Sequence, residues 1–98
     1  MSERGSRRPD RKTLQLCKQV QRALSFALPE TGEDVLLDAY VEDVQPAPDA
    51  SRLLVSVHGK GDPLDLIQAL GAHTGQLRSA VAEAITRRKA PELAFQVV

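Results

Sequence analysis

The stretch of residues 52–75, RLLVSVHGKGDPLDLIQALGAHTG, decides the fold, because it predicts a strand, a capped turn and an interrupted helix in succession. Side chains at its start alternate between two faces, which is the period of a strand with one buried side. The apolar face of this strand comprises Leu53, Val55 and Val57. Asp62 then stands where a helix N-cap belongs, and Pro63 takes the first helical position, where its missing N–H is no loss. These residues predict a strand that turns directly into a helix.

The helix after Pro63 is expected to kink or break near its middle. Gly71 and Gly75 fall within one turn of each other, and each glycine costs about 1 kcal/mol in a helix interior. Apolar spacing resumes beyond Gly75 and continues until Pro91 stops the helix, after which alternation predicts a last strand. The apolar positions of the two helical halves and of this strand are Leu66, Ile67 and Leu70, then Leu77, Val81, Ala84 and Ile85, and last Leu93, Phe95 and Val97.

Upstream of this stretch, the spacing of apolar residues predicts a helix from about Arg11 to Leu28. Asp10 is the expected N-cap, and Pro29 followed by Gly32 ends the helix. The expected buried face comprises Leu14, Cys17, Val20, Leu24 and Leu28.

A first strand is predicted between Leu36 and Val44, where Leu37, Ala39 and Val41 alternate with polar neighbours. The complete order is therefore helix, strand, strand, interrupted helix, strand. This order predicts an α+β fold in which a three-stranded sheet packs against helices, because the last connection leaves the sheet through a helix and returns to it.

Formal charges are distributed unevenly along the 98-residue chain, although their sum is zero. Residues 1–22 hold seven basic and two acidic side chains, residues 23–70 two and nine, and residues 71–98 four and two. We expect the basic ends to share one surface and the acidic middle to face elsewhere, which suits an anionic partner. Residues 1–10 are expected to form a flexible basic arm, and residues 11–98 a single domain.

Composition argues against secretion, membrane insertion and metal binding. Cys17 is the single cysteine, so no internal disulfide can form, whereas a secreted domain of this size would usually need one or a metal. No apolar run approaches the roughly 20 residues that span a membrane. No histidine or cysteine cluster has the spacing of metal ligands. We therefore expect a cytoplasmic protein without a cofactor, a metal or a membrane attachment.

Residues 75–79, GQLRS, and residues 87–95, RRKAPELAF, follow a pattern of Gly, apolar, Arg and Ser, then Arg, Pro-Glu-Leu and Phe. This pattern resembles that of the ribosome-binding factor A family. Residues 44–49, VQPAPD, resemble the link between the family's first two strands, and residues 34–37, DVLL, its entry into the first strand. The similarity spans about residues 11–95.

This resemblance implies a K-homology-like fold of the second type, which has the same order of elements. Family members bind the small ribosomal subunit near its decoding region and assist processing of the 5′ end of its rRNA without catalysing a reaction. The implied partners are this subunit and its rRNA, with ribosomal proteins or an assembly GTPase as further candidates, and a monomer is expected. His73, Thr74 and Gly75 stand where the family carries Ala-x-Gly at the helix kink.

The candidate RNA-binding residues form two basic groups and the kink between the helical halves. The first group follows the polar side of the first helix, and the second surrounds the end of the last helix. At the kink, glycine permits close approach of a sugar-phosphate chain. Cations at a helix C-terminus also offset its dipole, so part of the second group can serve the fold as well. The candidates are Arg8, Arg11, Lys18, Arg22, His73, Thr74, Gly75, Arg78, Arg87, Arg88 and Lys89.

Two other functions remain open from the sequence. A protein-interaction module would dock its acidic middle on a basic ribosomal protein without RNA contact. A small RNA-processing enzyme is suggested only by His58, His73 and the acidic residues, which show no nucleophile with a matching base. Cys17 is expected to act as a small buried hydrophobe. No catalytic residue is assigned.

Overall fold

The structure, a computed structural model, describes residues 10–85 and 89–98 of the chain. The predicted flexible arm therefore lies outside the described residues except at Asp10, which caps the first helix. The elements in the two described ranges are helices α1 (Arg11–Ala27), α2 (Asp34–Leu37), α3 (Pro63–Ala72) and α4 (Thr74–Ala84), a 3₁₀ turn (Pro29–Thr31), and strands β1 (Tyr40–Pro46), β2 (Arg52–His58) and β3 (Glu92–Val97).

The strands form one mixed sheet in the order β1-β2-β3. β1 runs antiparallel to β2, whereas β3 runs parallel to β2. Two parallel strands cannot be joined by a tight turn, so α3 and α4 form the crossover between them. The α+β class and the K-homology-like order of helix, two strands, broken helix and strand are confirmed.

The core lies between one face of this sheet and the helices. The three apolar side chains Leu53, Val55 and Val57 of β2 are each 0% exposed, as their alternation predicts. They belong to one cluster with side chains of the three long helices. The fully buried members that the three long helices contribute to this cluster are Val20, Leu24, Leu66, Leu70, Leu77 and Val81.

Helix α1 begins where the sequence predicts, but its first turns bury a different residue. The Thr13 N–H donates to the Asp10 carboxylate at 2.8 Å, so the predicted N-cap is confirmed. Leu14, predicted to be buried, is 50% exposed, and Leu16 is buried instead. Because α1 contacts both β1 and α4, its buried side is turned toward Leu16, which lies one turn before Val20.

The prediction of a strand beginning near Leu37 is wrong. α2 forms a single helical turn there, and β1 begins only at Tyr40. The Leu36 N–H donates to the Glu33 carbonyl at 3.0 Å, which closes this turn. Leu36 is buried, whereas Leu37 is 55% exposed, so the turn needs only one apolar anchor.

Two turns near α2 require glycine. One is the turn before α2, which contains Gly32, and the other is the turn between β2 and α3, which contains Gly61. Gly32 has φ +83°, a left-handed conformation that glycine adopts without steric cost. A Cβ at Gly61 would lie 2.7 Å from Cγ2 of Val35. The turn between β2 and α3 therefore packs directly on α2, and a side chain at position 61 would force them apart.

The last helix ends earlier than the sequence predicts. α4 stops at Ala84 rather than continuing toward Pro91, and Ile85 has the extended angles φ −114° and ψ 158°. Ile85 is buried, so its side chain anchors the chain as it leaves the helix. Lys89 consequently lies in the connection to β3, beyond the last turn of α4.

Candidate nucleic-acid interface

The basic residues of α1 form an exposed row, here called the α1 stripe and comprising Arg11, Lys18 and Arg22. They lie on the side of α1 opposite its buried residues, because steps of four and seven residues return to the same side of a helix. In the described part of the chain, none of the three forms an ion pair. Their positive charges are therefore available to an external anion.

The kink consists of His73, which separates α3 from α4. Its N–H donates to the Ala69 carbonyl at 3.2 Å, and its carbonyl accepts from the Leu77 N–H at 3.0 Å, so it joins the two helices. Its ring Nε2 lies 3.0 Å from Oε2 of Glu33. The side chain of this predicted RNA contact is thus already engaged by a carboxylate.

Thr74 is also engaged within the protein. Its hydroxyl donates to the carbonyls of Leu70 and Gly71, both at 3.1 Å, which satisfies acceptors at the end of α3. Of the three kink residues predicted to contact RNA, Gly75 alone offers an unoccupied surface. No atom lies within 4 Å of the position that a Cβ would take at Gly75.

Replacing Gly75 with Ala tests whether the backbone at the kink contacts RNA. The open space at this position predicts that Gly75→Ala raises the free energy of unfolding by up to about 1 kcal/mol, since alanine favours the helix. We expect the added methyl group to weaken rRNA binding several-fold, measured by titration of labelled rRNA. Gly71→Ala is the matched control, because Gly71 is equally open in α3 and should gain stability without losing affinity. Unchanged rRNA binding by Gly75→Ala would remove the kink from the interface.

A second basic surface surrounds a cavity of about 750 Å³, here called the basic hollow. Its cations are Arg52 at the start of β2, Arg78 of α4 and Lys89 of the connection before β3. Arg78 and Lys89 are predicted from the sequence, but Arg52 is not, because it lies within the acidic middle, which holds only one other basic residue, Lys60. The remaining lining residues are Pro48, Ala50, Ser51, Ala90, Pro91 and Glu92.

The segment before β2 fixes the backbone of Arg52. The N–H and hydroxyl of Ser51 donate to Oδ1 of Asp49 at 2.9 and 2.6 Å. The hydroxyl bond, followed by the N–H bond, lowers the pKa of Asp49 below its ordinary value, so this carboxylate is ionised at neutral pH. The Arg52 N–H donates to the Asp49 carbonyl at 3.2 Å, and the Arg52 carbonyl accepts from the Ala47 N–H at 2.8 Å. Arg52 therefore projects from a backbone that is hydrogen-bonded at both its polar groups.

Asp49 also lines an acidic hollow of about 580 Å³, together with Asp10 and Asp43. This acidic hollow adjoins the basic hollow, because Pro48 and Ala50 line both cavities. The prediction that the acidic middle faces away from the basic surfaces is therefore only partly correct. Carboxylates of the middle lie beside the first turns of α1, and an approaching polyanion must avoid them.

The described residues contain no group of three or more His, Cys, Asp or Glu side chains placed to hold a metal ion. His58 Nδ1 lies 2.7 Å from the Val98 carbonyl oxygen, so it holds the end of β3. His73 is engaged by Glu33, as described above. The two histidines thus make separate structural contacts and do not form a joint site.

Cys17 lies in the core. Burial, with a smaller effect from the negative charge of Asp43, raises the pKa of the Cys17 thiol. A thiol with a raised pKa is protonated at neutral pH and reacts slowly. The stability that this neutral thiol contributes is present below its unfolded pKa and is lost as pH rises through its folded pKa.

We expect the Cys17 thiol to react with a thiol-specific disulfide reagent at least about a hundredfold more slowly in the folded protein than in urea, because reaction requires local opening. The measurement is the absorbance of the released thiolate over time at pH 8, with and without denaturant. Equal rates in the two conditions would show that Cys17 is accessible in the folded chain.

Three of the predicted RNA-binding residues, Arg8, Arg87 and Arg88, lie outside the described residues. Among the helices that the structure does describe, none is long and apolar enough to cross a membrane.

No protein-family model and no curated protein sequence matches the chain. Several solved structures, however, have a similar fold. The crystal structure of ribosome-binding factor A from Thermus thermophilus superposes with a TM-score of 0.80 at 27% identity, covering 87% of this chain and 93% of that one. A homology model of the Thermus thermophilus factor, fitted into a cryo-EM map of its complex with the 30S subunit, gives 0.71 at 28% identity, covering 82% and 88%. The solution structure of a Thermotoga maritima protein assigned to ribosome-binding factor A gives 0.75 at 21% identity, covering 92% and 90%.

The fold and the exposed cations thus define an α+β domain of K-homology-like topology with basic surfaces on its helical side and at the start of its parallel strands. Within that class, the chain has the fold of ribosome-binding factor A. The resemblance to this family predicted from the sequence is confirmed by solved structures that cover most of the chain.

Proposed function

We propose that this protein is a maturation factor of the small ribosomal subunit that binds the subunit through its rRNA and catalyses no reaction. The observation that carries the proposal is the similarity to Thermus thermophilus ribosome-binding factor A, whose homology model was fitted into a map of a 30S complex and covers 82% of this chain. In this role the protein acts in the cytoplasm, as a monomer, and assists late maturation, including processing of the 5′ end of the rRNA.

The α1 stripe supports this function physically. Each lysine or arginine that contacts a phosphate releases a counterion from the RNA, which favours binding without reading the base sequence. Aromatic residues make up only 3% of the chain, so a platform of stacked bases is not expected. Recognition therefore depends on phosphate positions and on the shape of the folded rRNA.

The acidic hollow favours one alternative function, docking on a basic ribosomal protein without RNA contact. Asp10, Asp43 and Asp49 line it together with Thr13 and Leu14, a combination of carboxylates and apolar surface that suits a lysine- or arginine-rich segment. This alternative makes the opposite prediction about charge, since its binding would depend on the carboxylates.

Charge reversal at one exposed lysine tests the proposed function. We expect Lys18→Glu to weaken co-sedimentation with precursor small subunits by about tenfold or more and to lower the slope of log affinity against log salt by about 1. Lys60→Glu is the matched control, because Lys60 is equally exposed but lies in the turn before α3, outside the proposed interface. A folded Lys18→Glu variant that binds as well as Lys60→Glu contradicts the proposal.

The same assay distinguishes the alternative. Asp43→Asn with Asp49→Asn should leave subunit binding unchanged or slightly stronger, since both substitutions remove negative charge beside the RNA-binding surface. Loss of subunit binding in this double variant, with retention of binding in Lys18→Glu, would instead support docking on a ribosomal protein.

A further inference from the structure

We propose that the basic hollow is a phosphate-binding site that holds one backbone phosphate of an RNA strand. This inference rests on the proposed function for the identity of the RNA, but the site itself is defined by the protein. Its volume of about 750 Å³ lies within the range of about 300 to 1,000 Å³ that is typical of ligand sites.

The charge inside the basic hollow is unbalanced. Arg52, Arg78 and Lys89 supply three positive charges, and Glu92 is the one carboxylate among the lining residues. Within the described ranges, none of these four side chains lies within 4 Å of an oppositely charged group. Cations held near one another repel unless an anion lies between them, so the cavity favours a ligand with a negative charge.

The geometry favours phosphate over an unspecific cloud of counterions. Two of the three cations are arginines, whose planar guanidinium donates two parallel hydrogen bonds to phosphate oxygens. In the proposed site, the phosphate accepts hydrogen bonds from the guanidinium groups of Arg52 and Arg78 and from the Lys89 ammonium, all of which line the cavity. The net charge of the lining side chains is +2, which exceeds the single negative charge of one phosphodiester group, so the cavity stays attractive to the strand after it has bound one phosphate.

Two of the three cations come from regular elements of the fold, whereas Lys89 lies in the connection before β3. Arg52 is fixed by its two backbone hydrogen bonds and stands opposite Glu92 in the parallel pairing of β2 with β3. Arg78 projects from α4, whose neighbouring residue Leu77 is fully buried. Arg52 and Arg78 therefore project from backbone whose position is fixed before a ligand binds.

The adjoining acidic hollow restricts the path that an RNA strand can take through this site. Asp49 lies at the boundary of the two cavities, since it lines the acidic hollow while its neighbours Pro48 and Ala50 line both. An RNA strand that enters the basic hollow is repelled on that side and must leave along α4 or the connection to β3. The site therefore holds one phosphate and also orients the strand.

The first test uses the intact protein and inorganic phosphate, so it does not depend on the ribosome. In an NMR titration, phosphate should produce saturable shifts at Arg52, Arg78 and Lys89, and Arg78→Gln should weaken this binding about tenfold or more, as expected for loss of a charged bidentate contact. Arg78→Lys keeps the charge but loses the paired donors, and should bind with intermediate affinity. Lys18→Gln, in the α1 stripe, should leave the shifts unchanged. Shifts that do not saturate, or that survive Arg78→Gln, overturn the site.

The second test distinguishes RNA from free phosphate. A short single-stranded RNA should compete with inorganic phosphate for the basic hollow, and Arg52→Gln with Arg78→Gln should lower the salt slope of binding to precursor subunits by about 1, because one phosphate contact is lost. Phosphate binding that RNA does not displace would overturn the assignment to RNA. If the unaltered protein does not bind small subunits at all, the proposed function fails, while the phosphate titration still decides the site.

Discussion

Raising the salt concentration from about 50 to about 200 mM is expected to weaken binding to precursor small subunits by about a thousandfold. The size of this effect follows from counterion release with about six phosphates engaged, each adding about 0.9 to the slope of log affinity against log salt. The described cations that could engage part of them are Arg11, Lys18 and Arg22 of the α1 stripe, together with Arg52, Arg78 and Lys89, which share one phosphate in the basic hollow. The remaining phosphates are assigned to the predicted contacts Arg8, Arg87 and Arg88. Sedimentation or fluorescence anisotropy at several salt concentrations gives the slope.

Replacing one cation with an uncharged residue shows how much a single phosphate contact adds to this slope. Arg11→Gln should lower it by about 1, because one phosphate contact is lost while the fold is unchanged. A slope near zero for the unaltered protein would contradict the electrostatic mechanism and would favour docking through uncharged contacts. The net charge of zero makes this a strict test, since only a local concentration of cations can produce a steep slope.

Truncating Leu24 is expected to lower the free energy of unfolding by about 2 to 5 kcal/mol. Leu24 is 0% exposed in α1 and belongs to the core cluster between the helices and the sheet. Leu24→Ala removes apolar contacts and leaves a cavity that the surrounding side chains cannot fully close. Because small domains have about 5 to 15 kcal/mol of stability in total, this single change could leave the domain marginal at 37 °C. Urea denaturation followed by circular dichroism measures the difference.

Leu14→Ala is the matched control for this measurement. The sequence spacing places Leu14 on the same buried face as Leu24, but the structure shows Leu14 to be 50% exposed. We expect its truncation to cost less than about 1 kcal/mol, since half of the side chain is already in contact with water. Equal losses for the two variants would mean that α1 is rotated about its axis relative to the arrangement described here.

The residues around the turn before α3 predict the local structure correctly, because the helix N-cap and the first-turn proline depend only on their near neighbours in the chain. The Leu64 N–H donates to the Asp62 carboxylate at 2.9 Å, and Pro63 begins α3, as the sequence indicates. The alternation of apolar and other residues in β2 also predicts this strand correctly, for a different reason. β2 is the central strand, so its inward side chains are fully buried and the period of two is clear.

The first strand shows where such patterns fail. Leu37 and Ala39 continue the alternation of Val41 by coincidence, because α2 is a single turn and four residues are too short to show a helical period. Within β1 a bulge between Val41 and Asp43 then moves the next buried position to Val44, which breaks the period of two. Neither the turn nor the bulge has a distinct sequence signal here.

Some residues of the candidate site could likewise be predicted from the sequence, and others could not. The α1 stripe could be predicted because its residues share one helix, and helical spacing fixes their common side. Arg52 could not, because it meets Arg78 and Lys89 only through the parallel pairing of β2 with β3, which joins segments 40 residues apart. The engagement of His73 by Glu33 is equally long-range and equally absent from the sequence pattern.

The position of β3 at the edge of the sheet has one further consequence. It pairs only with β2, and none of its side chains is fully buried, although Leu93, Phe95 and Val97 pack against the core. Transient detachment of β3 would carry Glu92 away from Arg52 and dismantle the basic hollow, while the α1 stripe stayed intact. By mass action, a ligand in the basic hollow must suppress that detachment. Amide hydrogen exchange along the last strand should therefore slow when RNA is bound, even though no residue of the strand beyond its first touches the ligand.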